Sequence, residues 1–110
     1  MANNALPVVF PAPVNNDNAS ITLTTGMAGL SYRLASTQNA TFTLASLPIL
    51  ENGTRVELIR NTNGAFTLTV AAGTSTLKHY YGNGSVKVAS RAVLTKTGLD
   101  EWTLSGDVYL

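Results

Sequence analysis

Apolar and polar residues alternate one for one along most of this chain, and that period restricts it to β-strands. Ile21 and Leu23 alternate with Thr22 and Thr24, Leu30, Tyr32 and Leu34 with Ser31 and Arg33, and Phe42 and Leu44 with Thr41 and Thr43. The pattern continues at Val56 and Leu58, at Phe66, Leu68 and Val70, at Val86 and Val88, and at Trp102 and Leu104. Successive side chains of a strand point to opposite faces, so each run has one apolar face and one Thr-rich or charged face. Thr suits the wet face because its branched Cβ favours extended backbone while its hydroxyl stays hydrated. No segment sustains helical spacing, and no helix longer than about three turns is expected.

The breaks between runs carry turn chemistry. Asn52-Gly53, Asn63-Gly64 and Asn83-Gly84 are pairs that accept positive φ in tight hairpins. Residues 54–70, TRVELIRNTNGAFTLTV, read as a hairpin closed at Asn63-Gly64. Gly26, Gly73, Gly98 and Gly106 punctuate the remainder, and SLPILEN at 46–52 reads as a crossover loop. NATFTLAS at 39–46 echoes NGAFTLTV at 63–70, which suggests two strands in equivalent roles. Two copies are too few for a solenoid. Strands recurring about every ten residues predict an all-β fold, a Thr-rich antiparallel sandwich or jelly-roll-like barrel.

At 110 residues the chain has the size of one domain. The β pattern occupies residues 19–110. Residues 1–18, MANNALPVVFPAPVNNDN, differ: Pro7, Pro11 and Pro13 remove backbone donors and hold the chain extended. The segment reads as a solvated tail or as an extended arm on a partner. The apolar density of Leu6, Val8, Val9, Phe10 and Val14 favours the arm, because disorder goes with low hydrophobicity. An extended segment cannot bury its own side chains, so Leu6, Pro7, Val8, Val9, Phe10 and Pro11 are the candidate anchors. The large apolar residues come only two or three per strand. Phe42, Leu44, Phe66, Leu68 and Trp102 are therefore expected in the core or at a subunit interface, and open edge strands also favour an oligomer.

Composition excludes several chemistries. The chain has no cysteine, which rules out disulfides, thiolate metal sites and a cysteine nucleophile. Its basic residues fall singly along a chain of net charge +1, unlike the clustered charge of a nucleic-acid binder. No stretch approaches the ~20 apolar residues that span a bilayer. The N-terminus has no basic n-region and a proline-broken apolar part, so it makes a poor signal peptide, and synthesis in the cytoplasm is expected. Four Asn-x-Ser/Thr matches, at Asn18, Asn39, Asn52 and Asn83, are expected by chance in a chain this rich in Asn, Ser and Thr.

No catalytic residue, metal ligand or cofactor site is predicted. His79 is the only histidine, no Gly-x-Ser-x-Gly elbow exists, and Asp100 and Glu101 are adjacent, so a strand would turn them to opposite faces. Tyr80, Tyr81 and Trp102 could stack on sugars. Trp102 reads better as core, whereas the tyrosine pair at a loop keeps a carbohydrate-binding role open.

The stretch from about 29 to 106 resembles small β modules of bacteriophage virion proteins. The resemblance is carried by GLSYRLAS, NATFTLAS, GTRVELIRNTNGAFTLTVAAG and GSVKVASRAVLTKTGLDEWTLSG, with Val56, Leu58, Asn61, Val70, Gly73, Val93, Leu94, Trp102 and Leu104 at matching positions. Such modules occur in fibres and in capsid decoration (cement) proteins, typically as homotrimers. The resemblance implies a homotrimer on the capsid surface of a virion, with the major capsid protein as partner and no nucleic-acid or membrane partner. A short chain with an arm and no repetitive shaft fits decoration better than a receptor-binding fibre. A tail or head fibre module that binds host-surface carbohydrate is the alternative.

Overall fold

The computed structural model describes residues 9–61 and 65–110. The fold is all-β. Its strands are β1 (Val14–Asn15), β2 (Ser20–Thr22), β3 (Ser31–Leu34), β4 (Ala40–Thr43), β5 (Arg55–Arg60), β6 (Leu68–Ala71), β7 (Thr76–His79), β8 (Gly82–Asn83), β9 (Val86–Gly98) and β10 (Glu101–Tyr109). The only helical turn among the described residues is a 3-10 turn at Thr25–Met27.

One strand organises the rest. β9 runs for 13 residues and pairs antiparallel with β10 across a tight turn at Leu99-Asp100. Along its other edge it takes two partners end to end. Val86, Val88 and the residue between them pair with β6, and Arg91 to Thr95 pair with β5. Two wings grow from these partners, one ordered β5–β3–β1 and the other β6–β4–β2. Neighbours within each wing are parallel. β7 lies parallel to β10 on the far side and carries β8 as a short hairpin.

The expected antiparallel architecture is therefore corrected to a mixed one. The predicted hairpin over 54–70 is also corrected: β5 and β6 do not pair with each other but share β9. Its turn, Asn63-Gly64, lies outside the described residues. A turn does form at Asn52-Gly53, with Gly53 at φ 94°. The later turn moves. The β7–β8 hairpin closes at Tyr80-Tyr81, and Gly82 and Gly84, rather than Asn83, take the positive φ. The echoed segments prove to be neighbours. Phe42 of β4 pairs with Val70 of β6, and the Asn39 side chain accepts a hydrogen bond from the Thr67 N–H at 2.9 Å.

β9 can change partners because the β9–β10 ladder bulges. Val88 faces Val108, but Ala92 faces Gly106, so extra residues of β9 crowd one point of β10. Gly106 sits there at φ 124°, and a Cβ would come within 2.6 Å of the Arg91 carbonyl oxygen. A side chain would collide with backbone at the corner that lets one strand serve both wings.

Both wings contribute their apolar faces to one core. Tyr32, Leu34, Val56 and Leu58 come from one wing, Ile21, Phe42, Leu68 and Val70 from the other, and Leu94, Trp102 and Leu104 from the central pair. Phe42, Leu44, Leu68 and Trp102 are all buried within the single chain. They are core and leave no surface for a subunit contact. Leu77 of β7 and Leu94 of β9 also help fill the core. Phe66 differs, since it precedes β6 and packs only partly buried against the core. Phe42→Ala is expected to cost roughly 3–5 kcal/mol in chemical denaturation, whereas Phe66→Ala should cost about half as much, because truncation is costly in proportion to the burial it undoes.

Candidate functional site

The N-terminal segment enters the structure as part of a sheet edge. Val14 and Asn15 pair parallel with Tyr32 and Arg33, and the Asn16 N–H donates to the Arg33 carbonyl at 3.1 Å. Asp17 then clamps the segment to the turn after β3. Its Oδ1 accepts the Ser36 N–H at 2.7 Å and the Thr37 N–H at 3.2 Å, and its Oδ2 accepts the Thr37 hydroxyl. That turn follows Ala35, a buried alanine held at φ 58°, where an L-residue is strained. The clamp therefore holds a strained corner and the root of the arm together.

The Thr37 hydroxyl above all, with the other hydrogen bonds of residues 36 and 37, holds the Asp17 carboxyl below its ordinary value of 3.8. A depressed folded value means the clamp contributes fully above pH 3.8 and weakens as pH falls through the lower folded value. The protection of the Ser36 and Thr37 amides, relative to their intrinsic exchange rates, is expected to fall on acidification below about pH 4, and to be low at neutral pH in Asp17→Ala. Equal protection across that range would show that the clamp holds nothing.

Beyond the clamp, the arm lies over the outer face of its own β5–β3–β1 wing. Residues 9–13 border a groove of about 430 Å³ whose floor includes Glu57 and Arg91. Beneath it, the Ser31 hydroxyl donates to Glu57 Oε1 at 2.7 Å, and Arg91 Nε lies 3.3 Å from Glu57 Oε2. Of the candidate anchors, Val9 is 83% exposed, Phe10 is half-buried and Pro11 is exposed. Leu6, Pro7 and Val8 lie outside the described residues. Val9 and Pro11 are thus presented outward from a fixed root, while Phe10 is half covered.

A second surface lies at the opposite end of the sheet. Tyr80 is 87% and Tyr81 50% exposed, with their rings edge to face at 5.0 Å. They border an open cleft of about 530 Å³ that also takes in Lys78, His79, Ser105 and Asp107. His79 shapes this rim. Its Nδ1 accepts the Tyr81 N–H at 3.1 Å, so its other nitrogen, Nε2, donates to the Gly84 carbonyl at 3.0 Å. Asp107 accepts the Ser90 hydroxyl. Flat aromatic faces beside hydroxyl and carboxylate groups suit a sugar ring.

The two adjacent acids have separate partners. Asp100 accepts the Ser46 hydroxyl, while Glu101 accepts the Thr97 hydroxyl at 2.7 Å and pairs with Lys78 at 3.0 Å. These contacts, the Thr97 hydrogen bond first, lower the Glu101 carboxyl below its ordinary range. Among the described residues, no group of three or more His, Asp or Glu side chains is placed to hold a metal. No described helix is long and apolar enough to cross a membrane.

Sequence reasoning missed the Asp17 clamp, the Asp107 side of the cleft and a grouping of arginines described below. Each depends on which strands are neighbours, and alternation carries no such signal. In comparisons with known proteins, no family model and no curated sequence matches this chain.

Proposed function

We propose that this chain is a capsid decoration (cement) protein, a non-enzymatic structural component that binds the outer surface of a bacteriophage head as a homotrimer. The observation that carries the proposal is the arm. Its root is built into a sheet edge and clamped, while Val9 and Pro11 stand exposed. A solvated tail needs no such root, and an adhesive arm does. The family resemblance of residues 29–106 supports the same reading and names the coat protein as the partner.

The function is mechanical. Copies that bridge neighbouring coat subunits add contacts present only in the assembled shell, so mass action favours the shell. Three arms on one trimer act at high effective concentration, and modest affinity per arm gives firm attachment. The core residues being internal, trimer contacts fall to the open edges at β1, β2 and β8 and to exposed apolar side chains such as Ile49, Leu99 and Leu110. Electron microscopy of native particles tests the proposal. Density for this protein over the capsid surface supports it, and density at the tail alone replaces it with the fibre reading.

The Tyr80–Tyr81 cleft favours a second reading, a fibre or adhesin module that binds carbohydrate. Glycan-array binding that Tyr81→Ala abolishes would support it.

A further inference from the structure

Three of the four arginines of this chain line one cleft, although they lie far apart in sequence. Arg33 of β3 and Arg91 of β9 are both cross-strand neighbours of Ile59 of β5, so the three side chains form one row on the outer face. Arg60 and Asn61 complete the lining of a cleft of about 340 Å³. Ile59 is only 9% exposed, yet it stands apart from the main core cluster. It lines the cleft between the two arginines.

The guanidinium groups are not consumed by internal pairing. Arg91 is 63% exposed and shares one contact with Glu57, and Arg33 has an exposed side chain. Arg60 Nη1 donates to the Phe66 carbonyl at 3.3 Å, while its Nε is buried with no hydrogen-bond partner. A buried N–H of a charged group without an acceptor is costly and is ordinarily satisfied. Guanidinium forks match the two oxygens of a carboxylate.

We propose that this cleft is a carboxylate-binding site that takes a Glu or Asp side chain from an acidic segment of a partner protein. The apolar floor selects the ligand: Ile59 lies between the arginines, so an anion carried on a short methylene stem gains contacts that a bare inorganic anion does not. Nucleic acid fits less well. The row of arginines is too short to follow a phosphate backbone. The site goes beyond the decoration role and does not depend on it, because any partner with such a segment would fit. The surface also adjoins the arm, since Arg91 borders both grooves.

The test uses the ¹⁵N-labelled full chain and follows the arginine Nε–H resonances. The probes are an acetylated Gly-Glu-Gly-Glu-Gly amide, its Gln counterpart, sodium sulfate at matched ionic strength and a dT12 oligonucleotide. The Glu peptide is expected to shift Arg33, Arg60 and Arg91 saturably, and the Gln peptide to leave them in place. The Arg33→Gln/Arg91→Gln variant should bind the Glu peptide at least about tenfold more weakly, as loss of two charge-assisted contacts implies, with an unchanged Trp102 indole signal reporting an intact core. No saturable shift, equal binding of the Gln peptide, or undiminished binding by a folded variant overturns the proposal. So does sulfate or dT12 binding as tightly as the Glu peptide, which would make the cleft a general anion or phosphate site.

Discussion

Trp102→Ala is expected to destabilise the protein by about 4 kcal/mol and to lower its melting temperature by on the order of 20 °C. Trp102 is the largest fully buried side chain and sits on β10, beside the strand that serves both wings. The cavity left behind would open where the two wings meet the central pair. Domains of this size are stable by only roughly 5–15 kcal/mol, so the loss is a large share of the total. The indole Nε1 is itself buried without a hydrogen-bond partner. Trp102→Phe should therefore cost much less than Trp102→Ala, because it keeps most of the ring volume and deletes an unsatisfied donor worth about 1–3 kcal/mol. Calorimetry on the two variants decides the point. Equal losses would mean that the indole N–H is doing something that the packing does not reveal.

Deleting residues 2–12 is expected to abolish capsid binding while leaving the fold intact. The cut stops short of Val14, so β1 and the Asp17 clamp remain. It removes Val9, which is exposed, and Phe10, which is half-buried but lies outside the core cluster, so the core has little to lose. Strand addition to a neighbouring sheet is one way such an arm could grip a coat subunit, with side-chain pockets giving specificity. Co-sedimentation of the truncated protein with undecorated particles measures the effect. Wild-type occupancy would show that the grip lies on the β domain, and the arm would lose its assigned role.

The alternation at Phe42, Leu44, Leu68 and Leu104 made the class of the fold and much of the core legible, because period two is a local property of the chain. Pairing is not local. Nothing in the sequence around 54–70 indicates that its two strands meet β9 rather than each other. β7 was missed because Leu77 is the lone core residue of its strand, so no alternation is visible. In β9 the alternation is legible only at Val86 and Val88 because Ala89 to Arg91 interrupt the apolar pattern, although Ala92, Leu94 and even Lys96 continue on the inner face. Lys96 is buried because its Nζ donates to the Gly98 carbonyl at 2.9 Å. The Asn83-Gly84 signal was sound in kind and displaced in position, since the glycines on either side of Asn83 supplied the positive φ. The arginine cleft was invisible for the same reason as the pairing. Single basic residues become a cluster only once Arg33, Ile59 and Arg91 are in register.

The root of the arm has a consequence for load. A protein that holds a shell against internal pressure is pulled through its attachment points. On the proposed decoration role, the pull would enter at β1, a strand of two ladder residues backed by one carboxylate clamp. The core lies behind the wider β3–β5 and β5–β9 ladders. The weakest link is thus in series with the grip and outside the core. Under tension the arm would pay out several residues of slack before any core side chain is exposed. It would rewind when the strain relaxes, a mechanical fuse that resets.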